Sequence, residues 1–164
     1  MSIQFILLLA VLSSLLLASC STHRVTTAPE AGAEENVLRY VNHYRVMKGL
    51  ARLRVDPRIT AECRRQCQQM AAKGEISHRG FSDRSFKLRN NFPHAYVAEN
   101  IGVNYGFHDP SGKITNGWIS SNEHRENIEG SYNLTGVGVV KTNEGKYYFS
   151  QIFVEFRQPG KSDK

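Results

Sequence analysis

Cysteine is scarce in this chain of 164 residues: there are three, with no Cys-x-x-Cys pair and no Cys/His cluster at zinc-finger spacing. A disulfide-built scaffold and a structural metal as the main staple are thereby excluded, and the fold must stand on packing. Proline is also rare, 5 residues against 13 glycines, and charged residues make up 22%. Collagen-like, coiled-coil and wholly disordered chains do not have this balance. No Gly-x-Ser-x-Gly sequence supplies the elbow on which many hydrolases raise a nucleophile. What is present suffices for one ordinary domain and not two. Hydrophobic residues reach 40%, unevenly distributed, and 21 Lys and Arg exceed 15 Asp and Glu to give a formal charge of +6.

Residues 3–18 carry no charge, and the apolar run from Phe5 through Leu17 leads into Ala18, Ser19 and Cys20. Such a segment is an export signal before it is structure. Leu17, Ala18 and Ser19 directly ahead of Cys20 resemble a bacterial lipobox, in which the cysteine is lipidated and becomes the mature N-terminus, so that the signal peptide of residues 1–19 is lost. The opening Met1-Ser2-Ile3-Gln4 lacks the Lys or Arg a signal peptide usually has. Cleavage by an ordinary signal peptidase and retention as a short membrane anchor are the alternatives, the run falling a little below the roughly 18–20 apolar residues that span a bilayer. Any of the three exports the domain, and Ser21 in place of Asp after the cysteine points to outer-membrane sorting in a Gram-negative cell. Residues 20–33, small and without apolar period, read as a flexible tether. Residues 34–158 read as the domain, and 159–164 as a disordered tail.

Positive charge crowds early in the domain: Arg39, Arg45, Lys48, Arg52, Arg54, Arg58, Arg64 and Arg65 meet only Asp56 and Glu62 in the same stretch. Outside the cytoplasm nucleic acid is not an expected partner. Attraction to an anionic lipid or envelope polymer is the functional reading, and a set of solvated helix faces the plain one.

Helices come first and strands last. Leu38, Val41 and Tyr44 or Arg45 follow helical spacing to Gly49, which predicts a helix over 34–48 with an acidic start. In the second helix Asp56 can cap, Pro57 takes the first turn, Ile59, Cys63, Cys67 and Ala71 recur every four residues, and Gly74 closes the run. Cys63 and Cys67 share its apolar face, where two small core residues are expected in preference to a redox pair or half a metal site. Residues 135–142 and 146–156 read as two strands around Asn143-Glu144-Gly145. Both faces of the second strand are apolar, which predicts a small antiparallel sheet covered by helices on both sides.

Three segments in the middle carry the chemistry: Ser77-His78-Arg79-Gly80-Phe81 with Arg84, then Ala98-Glu99-Asn100-Ile101-Gly102, then Trp118-x-x-Ser121-x-x-His124-Arg125-x-Asn127-Ile128. With Asn42, Arg45, Gly49-Leu50 and Leu53 ahead of them, and Gly136-Val137-Gly138 and Gln151-x-Phe153 behind, this ordered set resembles the CAP superfamily in its compact bacterial form. That group contains cysteine-rich secretory proteins, insect venom antigens and plant pathogenesis-related proteins. The resemblance implies an α+β fold, a three-layer α-β-α sandwich, with an open cleft whose histidines are His78 and His124 and whose first acid is Glu99. Where many eukaryotic members carry a second acid three residues after a Trp, this chain has Ser121 after Trp118. Trp118, Ser121 and Asn100 are expected in or beside the cleft.

Two imidazoles and a carboxylate are a recurring zinc set with a fourth position left to water, so Zn2+ or another divalent cation is the implied cofactor at His78, His124 and Glu99. Ser120 with Glu123 resembles a capping box, placing His124 in the first turn of a helix, where its pKa is lowered and a neutral imidazole favoured. Glu99 could equally be a structural acid tying strand to helix. Three functions follow. One is a non-catalytic module that binds a small ligand, lipid or peptide, in keeping with a superfamily linked to sterol and fatty-acid binding. Another is a hydrolase using metal-activated water, or Ser121 with His124 as base and Glu99 orienting it. The third is an envelope interaction protein with a vestigial cleft.

Overall fold

The computed structural model describes residues 28–157, so the apolar run, Cys20, most of the tether and the tail at 159–164 lie outside the described residues. In chain order the elements are β1 (Ala28–Pro29), α1 (Ala31–Met47), β2 (Arg54–Val55), α2 (Pro57–Lys73), α3 (Phe81–Asn91), β3 (Tyr96–Tyr105), α4 (Pro110–Ser120), α5 (Asn122–Glu129), β4 (Leu134–Lys141) and β5 (Lys146–Glu155). Among the described residues no helix is long and apolar enough to cross a membrane.

Local chemistry sets the element bounds. Asp56 caps α2 by accepting the Arg58 N–H at 2.9 Å, Pro57 occupies the first turn, and Gly74 ends the helix in the left-handed region at φ 71°. Asp109 and Pro110 repeat the pattern in α4, with the Asp109 carboxylate accepting Gly112 N–H at 2.9 Å. The hairpin between β4 and β5 closes on Thr142, whose N–H reaches Lys146 O at 2.9 Å, with Gly145 at φ 81°.

The sheet runs in the order β1-β4-β5-β3, antiparallel throughout except where the short β2 pairs parallel with β4. Val137, Val139, Phe149 and Phe153 face a core with Val37, Val41, Trp118 and Ile128 from α1, α4 and α5. Ile152 and Val154 face the opposite layer, where Ile59 and Cys63 of α2 meet Leu88 of α3 and Phe92 just beyond it. Two apolar faces on one strand therefore produce the expected three-layer sandwich. The α2 layer sits very close: a Cβ at Gly136 or Gly138 would collide with the α2 backbone at Ile59–Thr60 or Cys63–Arg64. In the contact so formed, the Cys63 and Cys67 thiols donate to Gly136 O and Gly138 O at 3.2 and 3.1 Å.

Two readings need correction. Residues 28–33 are part of the domain and not of the tether, because Ala28 and Pro29 pair with Lys141 and Val140 and α1 already begins at Ala31. Alanine and glycine there carry no apolar period, yet β4 offers an edge to pair with and Ala suits a helix start. Half of the early basic run is also tied up in the fold. Arg45 is buried and donates to the carbonyls of Ala51, Ile128, Gly130 and Tyr132, while Arg58, Arg64 and Arg65 pair with Asp56, Glu34 and Glu62.

Candidate functional site

The site is built across the edge strand β3. Side chains alternate along a strand, so Glu99 and Ile101 turn toward the α2 and α3 layer while Asn100 turns toward α4 and α5. His78 arrives from the loop between α2 and α3, and His124 from the first turn of α5. The two histidines thus come from opposite layers, and they lie close enough for a positive charge on His78 to lower the pKa of His124.

Glu99 is held by its own layer. Nη2 of Arg84 donates to both carboxylate oxygens at 2.7 and 2.9 Å, Ser150 Oγ donates to Oε1 at 3.3 Å, and His78 Nδ1 lies 3.4 Å from Oε2. The Glu99 and Arg84 side chains are 1% and 8% exposed, against 54% for His78. Arg84 is itself fixed, donating from Nη1 to Gln66 Oε1 at 2.7 Å and to Arg79 O at 3.0 Å. Glu99 is therefore the acid that ties strand to helix, through a guanidinium in place of backbone N–H groups.

His124 is held by the other layer. Asn100 Nδ2 donates to its carbonyl at 3.0 Å, and Asn127 Nδ2 donates to Asn100 Oδ1 at 2.9 Å. Ser121 Oγ lies 2.8 Å from His124 Nδ1. The capping residue of α5 is Ser121 and not Ser120, and its hydroxyl engages the imidazole while making no side-chain cap bond. Burial lowers the His124 pKa most, followed by the charge of His78. The expected direction holds, although its main cause is desolvation.

Trp118 and Asn100 lie beneath the surface next to the histidines. Both are buried, at 2% and 0% exposure, and both act as braces. Trp118 Nε1 donates to Ile101 O at 3.0 Å, and Asn127 Nδ2 reaches Glu99 O at 3.4 Å, so two carbonyls of the edge strand are taken by side chains. The arrangement Ser121–His124–Glu99 is not assembled either: the Glu99 carboxylate contacts His78, and among the described residues no carboxylate is hydrogen-bonded to His124.

A three-donor metal set does not fit this geometry. Among the described residues no group of three or more His, Cys, Asp and Glu is placed to hold a metal ion. The physical reason is visible at Glu99, whose lone pairs already face Arg84, Ser150 and His78. Cys63 and Cys67 are free, buried thiols, and burial pushes Cys63 up to about 12 and Cys67 well above its ordinary value. Beside Arg84 lies an open pocket of about 320 Å³, lined by Glu62, Gln66, Lys73, Ser77, Arg79 and Lys87 among others; neither histidine lines it.

Sequence reasoning placed His78, His124, Glu99 and Ser121 but overlooked Arg84, Gln66 and Ser150 as members of the site. A signal existed for Arg84, a charged residue on the stripe that also holds Ser85 and Leu88 and continues to Phe92.

An α-β-α sandwich with paired histidines astride its edge strand defines an extracellular-type CAP fold. Residues 38–153 match the model of the cysteine-rich secretory protein family, and the chain belongs to that CAP family. No curated protein matches it at the sequence level. Among solved structures it is similar to an outer surface protein of Borrelia burgdorferi, at 15% identity and TM-score 0.70, over 81% of this chain and 99% of that one. It is also similar to an extracellular SCP-domain protein of Bacillus anthracis, at 22% identity and TM-score 0.64. A cysteine-rich secretory protein of Staphylococcus aureus matches at 23% identity and TM-score 0.60. The Bacillus match covers 78% of this chain and 41% of that one, and the Staphylococcus match 76% and 38%. The chain thus spans about two fifths of these last two relatives.

Proposed function

We propose that this chain is an exported, membrane-tethered CAP domain whose His78–His124 site binds a small lipid or peptide ligand, with or without a divalent cation, and catalyses no reaction. The observation that carries this is the state of Glu99. A general base needs a lone pair free for the substrate's proton, and both Glu99 oxygens are engaged by the Arg84 guanidinium, with Ser150 and, at 3.4 Å, the His78 ring taking the remaining directions. His78, by contrast, is exposed and His124 half-buried, and their side-chain hydrogen bonds engage Nδ1, which leaves Nε2 of each ring to offer. Export is supported by the apolar run ending at Cys20 and by relatives named as outer surface or extracellular proteins.

The test is organic extraction of the purified full chain, with mass spectrometry of what it carries, beside a panel of ester and peptide substrates. A retained ligand that is lost in His124→Ala, with no turnover, is expected. Turnover that disappears in His124→Ala would sink the reading.

One contact favours a hydrolase as the second reading, the 2.8 Å approach of Ser121 Oγ to His124 Nδ1. Against it, the two residues share one helical turn, and among the described residues no acid is hydrogen-bonded to the imidazole. Covalent labelling of Ser121 by a fluorophosphonate would establish this alternative. An envelope-binding role for the basic surface predicts association that falls with salt, and the ion pairs of Arg58, Arg64 and Arg65 take three of its charges.

A further inference from the structure

Glu99 occupies the place of a ligating carboxylate but has the surroundings of a structural one. Its partner Arg84 is buried, directed by two N–H···O contacts at 2.7 and 2.9 Å, and fixed from behind by Gln66 and the Arg79 carbonyl. Gln66 is in turn fixed by donating to Ser77 O at 2.5 Å. Ser77 and Arg79 flank His78, so the loop presenting that histidine is tied on both sides to the Arg84 network.

We infer that Arg84 supplies at Glu99 the positive charge that a divalent ion supplies in a His-His-carboxylate centre, and that this chain takes its ligand directly on His78 and His124 without a metal. A cation reaching for Glu99 has to displace a guanidinium that is 8% exposed and has no second carboxylate among its hydrogen-bond partners. Displacement of a buried, hydrogen-bonded charge leaves it uncompensated, which is the costly way to break such a pair. The two imidazoles alone leave a zinc ion short of the three protein ligands its open sites use. The inference rests on the binding reading only for where the ligand sits; its statement about metal stands apart.

The experiment is calorimetric titration of zinc alone into the full chain in detergent, and into Arg84→Met. The expected result is no binding to the wild type at zinc concentrations up to about 100 μM, and in Arg84→Met a gain of at least about tenfold in affinity that His78→Ala removes. Micromolar binding by the wild type, or a folded Arg84→Met that gains nothing, overturns the inference. Should Arg84→Met fail to fold, nitrogen NMR of the Arg84 guanidinium in the wild type decides. Signals unchanged by added zinc are expected, and their shift or loss overturns it. Ligand retention in the extraction experiment does not depend on zinc, so failure of either reading is visible by itself.

Discussion

Cys63 and Cys67 show how far environment controls a side chain. Both thiols are fully buried, donate to glycine carbonyls of β4, and are raised in pKa by desolvation. A thiol that cannot ionise is a poor nucleophile. In a Cys20→Ser chain neither should react with a maleimide while the protein is folded, and both should react in denaturant. Fast labelling of the native state would contradict the packing. His124 gives a prediction with a sign. Burial lowers its folded pKa below the ordinary 6.5, so the unfolded chain takes up the proton first as pH falls. The stability this histidine contributes is present above about pH 6.5 and is lost as pH falls through the lowered folded value. Thermal melts between about pH 7.5 and about pH 5 should show a shallower fall for His124→Gln than for the wild type. At this scale the histidines and Glu99 were legible in the sequence because their types and order are distinctive. The Arg84 partnership was not, since pairing a helix side chain with a strand side chain needs the tertiary placement.

The closest contact between elements is α2 on β4. Gly136 and Gly138 admit the helix because no Cβ intervenes, and the cysteines of α2 then reach the strand carbonyls. Gly138→Ala must push α2 outward or bend β4, and should destabilise the fold by about 2–3 kcal/mol in urea unfolding, as overpacking does. A cost below about 0.5 kcal/mol, the level of an ordinary surface change, would show that the layers slide freely. On the other side, Trp118→Phe keeps most of the ring volume and loses the indole N–H bond to Ile101 O. It should cost about 1–3 kcal/mol because a buried acceptor is left unmade, measured in the same way. Element bounds were readable where the signals are local. The caps of α2 and the two-sided apolar pattern of β5 gave both within a residue. α3 was not read: its N-cap is Gly80 in the left-handed region with no side-chain cap bond, and its surface is largely polar. α4 also escaped, although Asp109 and Pro110 repeat the pattern of Asp56 and Pro57.

For the whole molecule, the sandwich class followed from a strand with two apolar faces, which calls for helices on both sides of the sheet. The membrane reading rests on the sequence before residue 28. If Cys20 carries the anchor, metabolic labelling with a radioactive fatty acid should mark the wild type and not Cys20→Ser, and the variant should leave the membrane fraction. A variant that stays with membranes would move the anchor to the apolar run itself.

If Cys20 anchors the domain, the braced edge of β3 bears on its behaviour at a surface. Anchored copies of a domain diffuse in two dimensions and meet far more often than in dilute solution, and an open strand edge turns such meetings into sheet growth. Here the central carbonyls, Glu99 O and Ile101 O, already hold an amide and an indole. A neighbour's strand meets two acceptors that are already engaged, which disfavours edge-to-edge pairing along the part of the strand beside the histidines.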